Sequence, residues 1–224
     1  MSSNRTPVAT TFGSYGYAWQ QYKKHFLYLF LIGIIVGVAN APTGAIFGEA
    51  GRAAAEPLWQ LLAAAYGLLI LPVFKFGADL LNLKYMRDES ADIGEIFGGF
   101  KTNYVNIVLA HLLVVAIVGI GIMFLIVPGI VFACRLAFVP YLVMDKGLEP
   151  VAAVEKSWDM TRGRALSVFG VFLVAIPLCF AGLLLLGVGI VFALIWVGAA
   201  MASLYHAVDI EDEKRLDENG AAPV

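Results

Sequence analysis

The feature that most limits what this chain can fold into is a series of six apolar stretches, at residues 25–42, 58–83, 103–126, 129–145, 164–182 and 186–208. Each is close to the roughly 17 to 25 residues that a helix needs to cross a hydrocarbon layer of about 30 Å. Backbone groups inside such a layer must bond to one another, so the expected fold is all-α, a polytopic membrane protein with six transmembrane helices. Composition agrees. Of the 224 residues 60% are hydrophobic and 14% charged, with mean hydropathy +0.82, against about 45–50% and 25% in soluble domains. A net charge of −2 with scattered bases argues against a nucleic-acid partner. Cys134 and Cys179 lie within apolar runs, which argues against a disulfide or metal framework. Ala39-Asn40-Ala41 mimics a signal-cleavage site, but Pro42 would follow the cut and the polar leader is long, so the segment reads as part of the first span.

Spans three and four are separated by Val127-Pro128-Gly129, and spans five and six by the Gly182 to Gly189 region, so each pair is a tight hairpin with an uncharged turn. Basic residues set the orientation. With the N-terminus in the cytoplasm, Arg5, Lys23, Lys24, Lys84, Arg87, Lys101, Lys146, Lys156, Arg162, Arg164, Lys214 and Arg215 lie inside and only Arg52 outside. Both termini are then cytoplasmic.

An internal repeat precedes the hairpins. Tyr15, Trp19, Tyr22 and Phe26 recur as Ile93, Phe97, Phe100 and Tyr104, and again as Val154, Trp158, Thr161 and Ala165, at offsets of one helical face. Trp19, Phe97 and Trp158 are each followed four residues on by a base, Lys23, Lys101 and Arg162. Each hairpin ends in a tyrosine with an aspartate after it: Tyr85 and Asp88, Tyr141 and Asp145, Tyr205 and Asp209. The unit is an amphipathic interfacial helix plus a helical hairpin, used three times over about 12–88, 91–145 and 150–208, within a membrane domain covering 1–208. Those aromatics and bases are its interfacial anchors, the bases facing anionic lipid. The first unit carries an insertion from Pro42 to Pro57. Residues 209–224, with six acids and two bases, read as an acidic disordered tail.

Residues 127–163 carry the Val127-Pro128-Gly129 turn, Arg135, Pro140-Tyr141, Asp145, Pro150 and Ser157-Trp158. In these pieces the chain resembles a broad group of bacterial integral membrane proteins related to the membrane domain attached to some glycerophosphodiester phosphodiesterases. The resemblance implies a six-helix module of the bacterial cytoplasmic (inner) membrane. It does not imply the phosphodiesterase activity, because no segment here corresponds to that domain.

Ionisable residues inside spans cost about 2.5 to 3.5 kcal/mol each at a helix centre and mark function by default. Lys75 and Asp79 form an i, i+4 pair in span two. Counted at about 1.5 Å per residue from the charged ends, Lys75, His111 and Arg135 all sit roughly 13 to 15 Å deep. Lys75, Asp79, His111 and Arg135 are therefore expected to form one intramembrane polar layer, as a network fixing helix register, a site for an anionic headgroup or solute, or a proton relay through His111 and Asp79. Intramembrane glycines such as Gly33, Gly37, Gly119, Gly121, Gly182, Gly187 and Gly189 suit close helix contact. Pro72, Pro140 and Pro177 should kink their helices.

No nucleophile, metal-ligand or phosphate-loop motif is present, so no catalytic residue, metal or cofactor is expected. The expected function is a non-enzymatic accessory or scaffold that binds membrane lipids and a partner membrane protein. The competing class is a small transporter or channel for an anionic solute or lipid headgroup. The apolar outer halves of spans three to six favour the first.

Overall fold

The computed structural model describes residues 7–47, 57–184 and 188–218, and all the regular structure among them is helical. Helix α1 (Thr11–Lys24) starts at Thr10, whose hydroxyl accepts from the Gly13 amide at 3.3 Å. The chain turns by 102° at His25 into α2 (Phe26–Phe47). Helix α3 (Pro57–Ala65) runs through a wide turn at Tyr66–Ile70 into α4 (Leu71–Met86). That turn precedes Pro72, which has no amide hydrogen for the regular ladder. A 3₁₀ turn (Ile93–Phe97), capped reciprocally by Asp92 and Glu95, and a short α5 (Gly98–Lys101) lead to α6 (Tyr104–Phe124).

The remaining helices are α7 (Ile126–Arg135), α8 (Val139–Asp145), α9 (Pro150–Met160), α10 (Ala165–Leu184) and α11 (Val188–Glu218). Five helical segments are long and apolar enough to cross a membrane: Leu58–Met86, Tyr104–Phe124, Ile126–Asp145, Ala165–Leu184 and Gly189–Glu218. A sixth is formed if the bent pair α1 and α2 counts as one span. This is the architecture of a multi-pass membrane protein.

The turn between α6 and α7 is one extended residue, Leu125, with φ −160° and ψ 142°, and not the expected Val127-Pro128-Gly129, which forms the start of α7, where a proline without an amide hydrogen is tolerated. The turn closes this tightly because Gly121 and Gly129 meet, a Cβ on Gly121 lying 2.9 Å from the Gly129 Cα. Gly33 against Ile195 and Gly182 against Gly189 are equally close. Gly37 and Gly119 are different, since a Cβ there meets nothing within 4 Å; Gly187 and the 48–56 part of the insertion lie outside the described residues. The proline expectation also divides. Pro72 and Pro140 sit at the starts of α4 and α8, next to real breaks, whereas Pro177 lies inside an unbroken α10. Asp88, Gly147 and Gly163 carry φ of 59°, 66° and 81° just after α4, α8 and α9, the left-handed conformation that ends helices.

Helix α1 packs along the last hairpin. Its Thr11 and Tyr15 hydroxyls donate to the Ser167 and Val171 carbonyls, at 3.2 and 2.9 Å, and the Trp196 indole donates to the Tyr15 carbonyl at 3.3 Å. Trp19 therefore lies against Trp196, with ring centres 4.9 Å apart. Its C-terminus is pinned to the turn after α4, where the Asp88 carboxylate pairs with Lys24 and accepts from His25 at 3.3 Å.

The acidic segment after Val208 is not a disordered tail as far as Glu218. Helix α11 continues through it, because Asp209, Glu211, Asp212 and Glu213 meet bases of the folded domain. Residues 219–224 lie outside the described residues.

Gly77 packs where a Cβ would lie 2.3 Å from the Ile96 carbonyl oxygen, a backbone atom that cannot swing away. Gly77→Ala is expected to cost about 1–3 kcal/mol in unfolding measurements in detergent, with Gly119→Ala near neutral. The Lys24 ammonium, bonded to Asp88, holds that carboxyl at about 2, below its ordinary 3.8. Its folded value lies below its unfolded one, so the pair stabilises the α1–α2 corner above pH 3.8 and is lost as pH falls toward 2. Hydrogen exchange around residues 22–28 should rise across that window in the wild type and not in Asp88→Asn.

Candidate functional site

Among the described residues the ion pairs cluster at one end of the helices, and Arg87 is their centre. It forms a two-pronged bond to Asp145, at 2.7 and 2.9 Å, and a third contact to Asp209 at 2.9 Å. Lys146 continues the chain to Asp209 at 3.1 Å and Glu213 at 2.8 Å. Lys156 reaches Asp212 at 2.6 Å, and Arg215 reaches both Asp212 and Asp159. Arg164 pairs with Glu211, and Lys84 with Glu95. Two of the three sequence-marked aspartates thus share one arginine. Above them Tyr205 and Tyr141 stack at 4.8 Å, and the Tyr205 hydroxyl reaches Asp145 at 3.5 Å.

Deeper in the bundle, Lys75, Asp79 and His111 line one cavity of about 490 Å³ between α4, α6, α7 and α8. Lys75 and Asp79 also line a second, of about 470 Å³, between α2, α4 and α11. The two charges therefore stand on the wall between two cavities. Neither makes a hydrogen bond or an ion pair within 4 Å among the described residues. Gly119 borders the first cavity and Gly37 the second, so the open space beside these two glycines is that of the voids.

Arg135 does not join them. Its guanidinium lies 5.1 Å from the Trp158 ring centre and donates to the Trp158 carbonyl at 3.3 Å. Its own carbonyl accepts from Ser157 and Thr161, at 2.8 and 3.2 Å. Arg135 belongs to the α7–α9 junction because the face of this span that lines the cavity is Ala133, Leu136, Ala137 and Pro140, at i, i+3, i+4 and i+7, and Arg135 lies off it, a rotation that depth counting does not register. The residue that sequence reasoning left out is Asn82, two turns from Lys75 on the same face of α4 and lining the second cavity. Its i+7 spacing from Lys75 was the available signal.

The anchor residues are distributed over three places. Lys23 lies 5.0 Å from the centre of the Trp19 ring. Phe97 packs edge-on to Phe74 at 5.6 Å, and Trp158 lies 5.7 Å from Phe132. Lys23, Lys101 and Arg162 are all exposed, and among the described residues none has a carboxylate within ion-pair distance. Beside Lys23 an apolar groove of about 660 Å³ opens between α1, α2, α10 and α11, lined by Trp19, Tyr22, Phe26, Phe192 and Trp196. Glu149 stands at the start of α9, as its place before Pro150 suggests, but its side chain makes no capping bond.

Arg87→Gln would leave Asp145, its side chain only 15% exposed, without a cationic partner among the described residues, and Asp209, 8% exposed, with Lys146 alone. A loss of about 3–5 kcal/mol is expected in detergent unfolding, partly restored when Asp145→Asn is added. No protein-family model, curated protein or solved structure matches this chain.

Proposed function

We propose that this chain is a non-enzymatic, multi-pass protein of the bacterial cytoplasmic membrane, an accessory or scaffold that holds anionic lipid along its charged end and presents that end to a partner membrane protein. Both termini are cytoplasmic in this reading, and the three short helices before the hairpins are copies of one repeated unit. The observation that carries it is a division among the bases. Lys24, Lys84, Arg87, Lys146, Lys156, Arg164 and Arg215 all have carboxylate partners. Lys23, Lys101 and Arg162, the bases at matching repeat positions, have none. Such bases at a headgroup level are available to phosphates. The groove beside Lys23 supplies an apolar seat for an acyl chain.

The transporter reading draws on the cavities at Lys75 and Asp79. It needs a polar path onward, and beyond His111 the first cavity is walled by Val114, Val118 and Ile122. The apolar hairpin tip from Met123 to Val127 follows.

Each base near an anionic surface contributes about 1 kcal/mol, so three should contribute on the order of a hundredfold in affinity. Native mass spectrometry of the full chain with phosphatidylglycerol should show strong retention, lost in the Lys23→Gln, Lys101→Gln, Arg162→Gln triple variant and kept in Lys214→Gln. Equal retention by the triple variant contradicts the proposal.

A further inference from the structure

We infer that Lys75, Asp79 and Asn82 form a binding site for a zwitterionic primary amine, a molecule carrying an ammonium group and, a few bonds away, a phosphate or carboxylate. This goes beyond the interfacial reading and rests on other residues.

The three side chains occur at i, i+4 and i+7 of α4, one face of the helix. An i, i+4 lysine and aspartate would ordinarily be neighbours that pair, although the order Lys then Asp is the less favourable one. Here they stay more than 4 Å apart, and each lines both cavities. Two unpaired opposite charges in a low-dielectric interior are costly, and a ligand offsets that cost only if it brings the complement of both. An anion alone leaves Asp79 unmet, and a cation alone leaves Lys75 unmet.

Asn82 adds an independent observation. It is 8% exposed, its Oδ1 has no hydrogen-bond partner, and it lines the second cavity. A buried amide oxygen without a donor asks for one. An ammonium group has enough N–H donors to serve the Asp79 carboxylate and the Asn82 oxygen together, while the anionic group of the same molecule meets the Lys75 ammonium. The space is kept open by glycines. A Cβ on Gly37 meets nothing within 4 Å, and one on Gly198 would lie 3.4 Å from the Asn82 amide nitrogen. Apart from Asn40 the rest of the wall is apolar, Leu29, Ile32 and Ile195 among it, suited to the chain of an amine-bearing phospholipid. A free zwitterion such as phosphoethanolamine shares the recognised chemistry.

The test is native mass spectrometry of the full chain in micelles, titrated separately with phosphatidylethanolamine and phosphatidylcholine, with phosphoethanolamine as competitor. A quaternary ammonium has no N–H to donate, so the wild type should bind phosphatidylethanolamine at least about tenfold more tightly, and Asp79→Asn should lose that preference. Competition by phosphoethanolamine assigns the site to soluble zwitterions, and its failure to compete assigns it to the lipid; both uphold the inference. Equal binding of the two lipids by the wild type overturns it without any variant, as does an undiminished preference in Asp79→Asn or no binding by any of the three probes. Phosphatidylglycerol retention through Lys23, Lys101 and Arg162 is read separately, so either account can fail alone.

Discussion

One arginine ties the molecule together. Arg87 ends the second of the apolar stretches, Asp145 ends the fourth, and Asp209 follows the sixth, and a single guanidinium bonds to both carboxylates. A planar, permanently charged fork can satisfy two carboxylates at once where an ammonium would meet them as a point charge. The same ends are joined a second time through Lys146. Apolar helices in lipid gain little from burying one another. Polar closure at one end therefore brings the three hairpin ends to a common level and sets the depth of everything above it.

Much of this plan is legible in the sequence because bilayer physics is crude and repetitive. Long apolar runs announce helices, and glycines at 121 and 129 or 182 and 189 announce tight turns. The recurrence of a tyrosine with a following aspartate singles out Asp145 and Asp209, though not the arginine they share. Other features depend on tertiary encounter. The acids from Asp209 onward look like a solvated tail until Lys146, Lys156 and Arg164 are placed opposite them. Arg135 matches Lys75 in depth counted along the chain, but it lies off the helix face that turns Ala133, Leu136, Ala137 and Pro140 to the cavity, and it meets Trp158 instead.

The distribution of charge separates structure from function. Bases with carboxylate partners hold helix ends together, and their removal should be felt as instability. Among the described residues the bases without carboxylate partners include, besides Lys214 on the last turns of α11, the exposed ones at recurring positions beside aromatics, and Lys75, which stands with Asp79 between two cavities. Arg135 is a third case, its positive charge spent on a ring face and a carbonyl.

The central claim is that the three hairpin ends gathered by Arg87 lie on one side of the membrane. Single cysteines at the exposed positions Ser90, Glu149 and Lys214, in a background with Cys134 and Cys179 replaced by alanine, test it by labelling with a membrane-impermeant maleimide in intact and permeabilised cells. All three should stay unlabelled in intact cells and react after permeabilisation. Labelling of one position from outside while the others stay protected would contradict the account, because one guanidinium cannot bond to carboxylates on opposite sides of a bilayer.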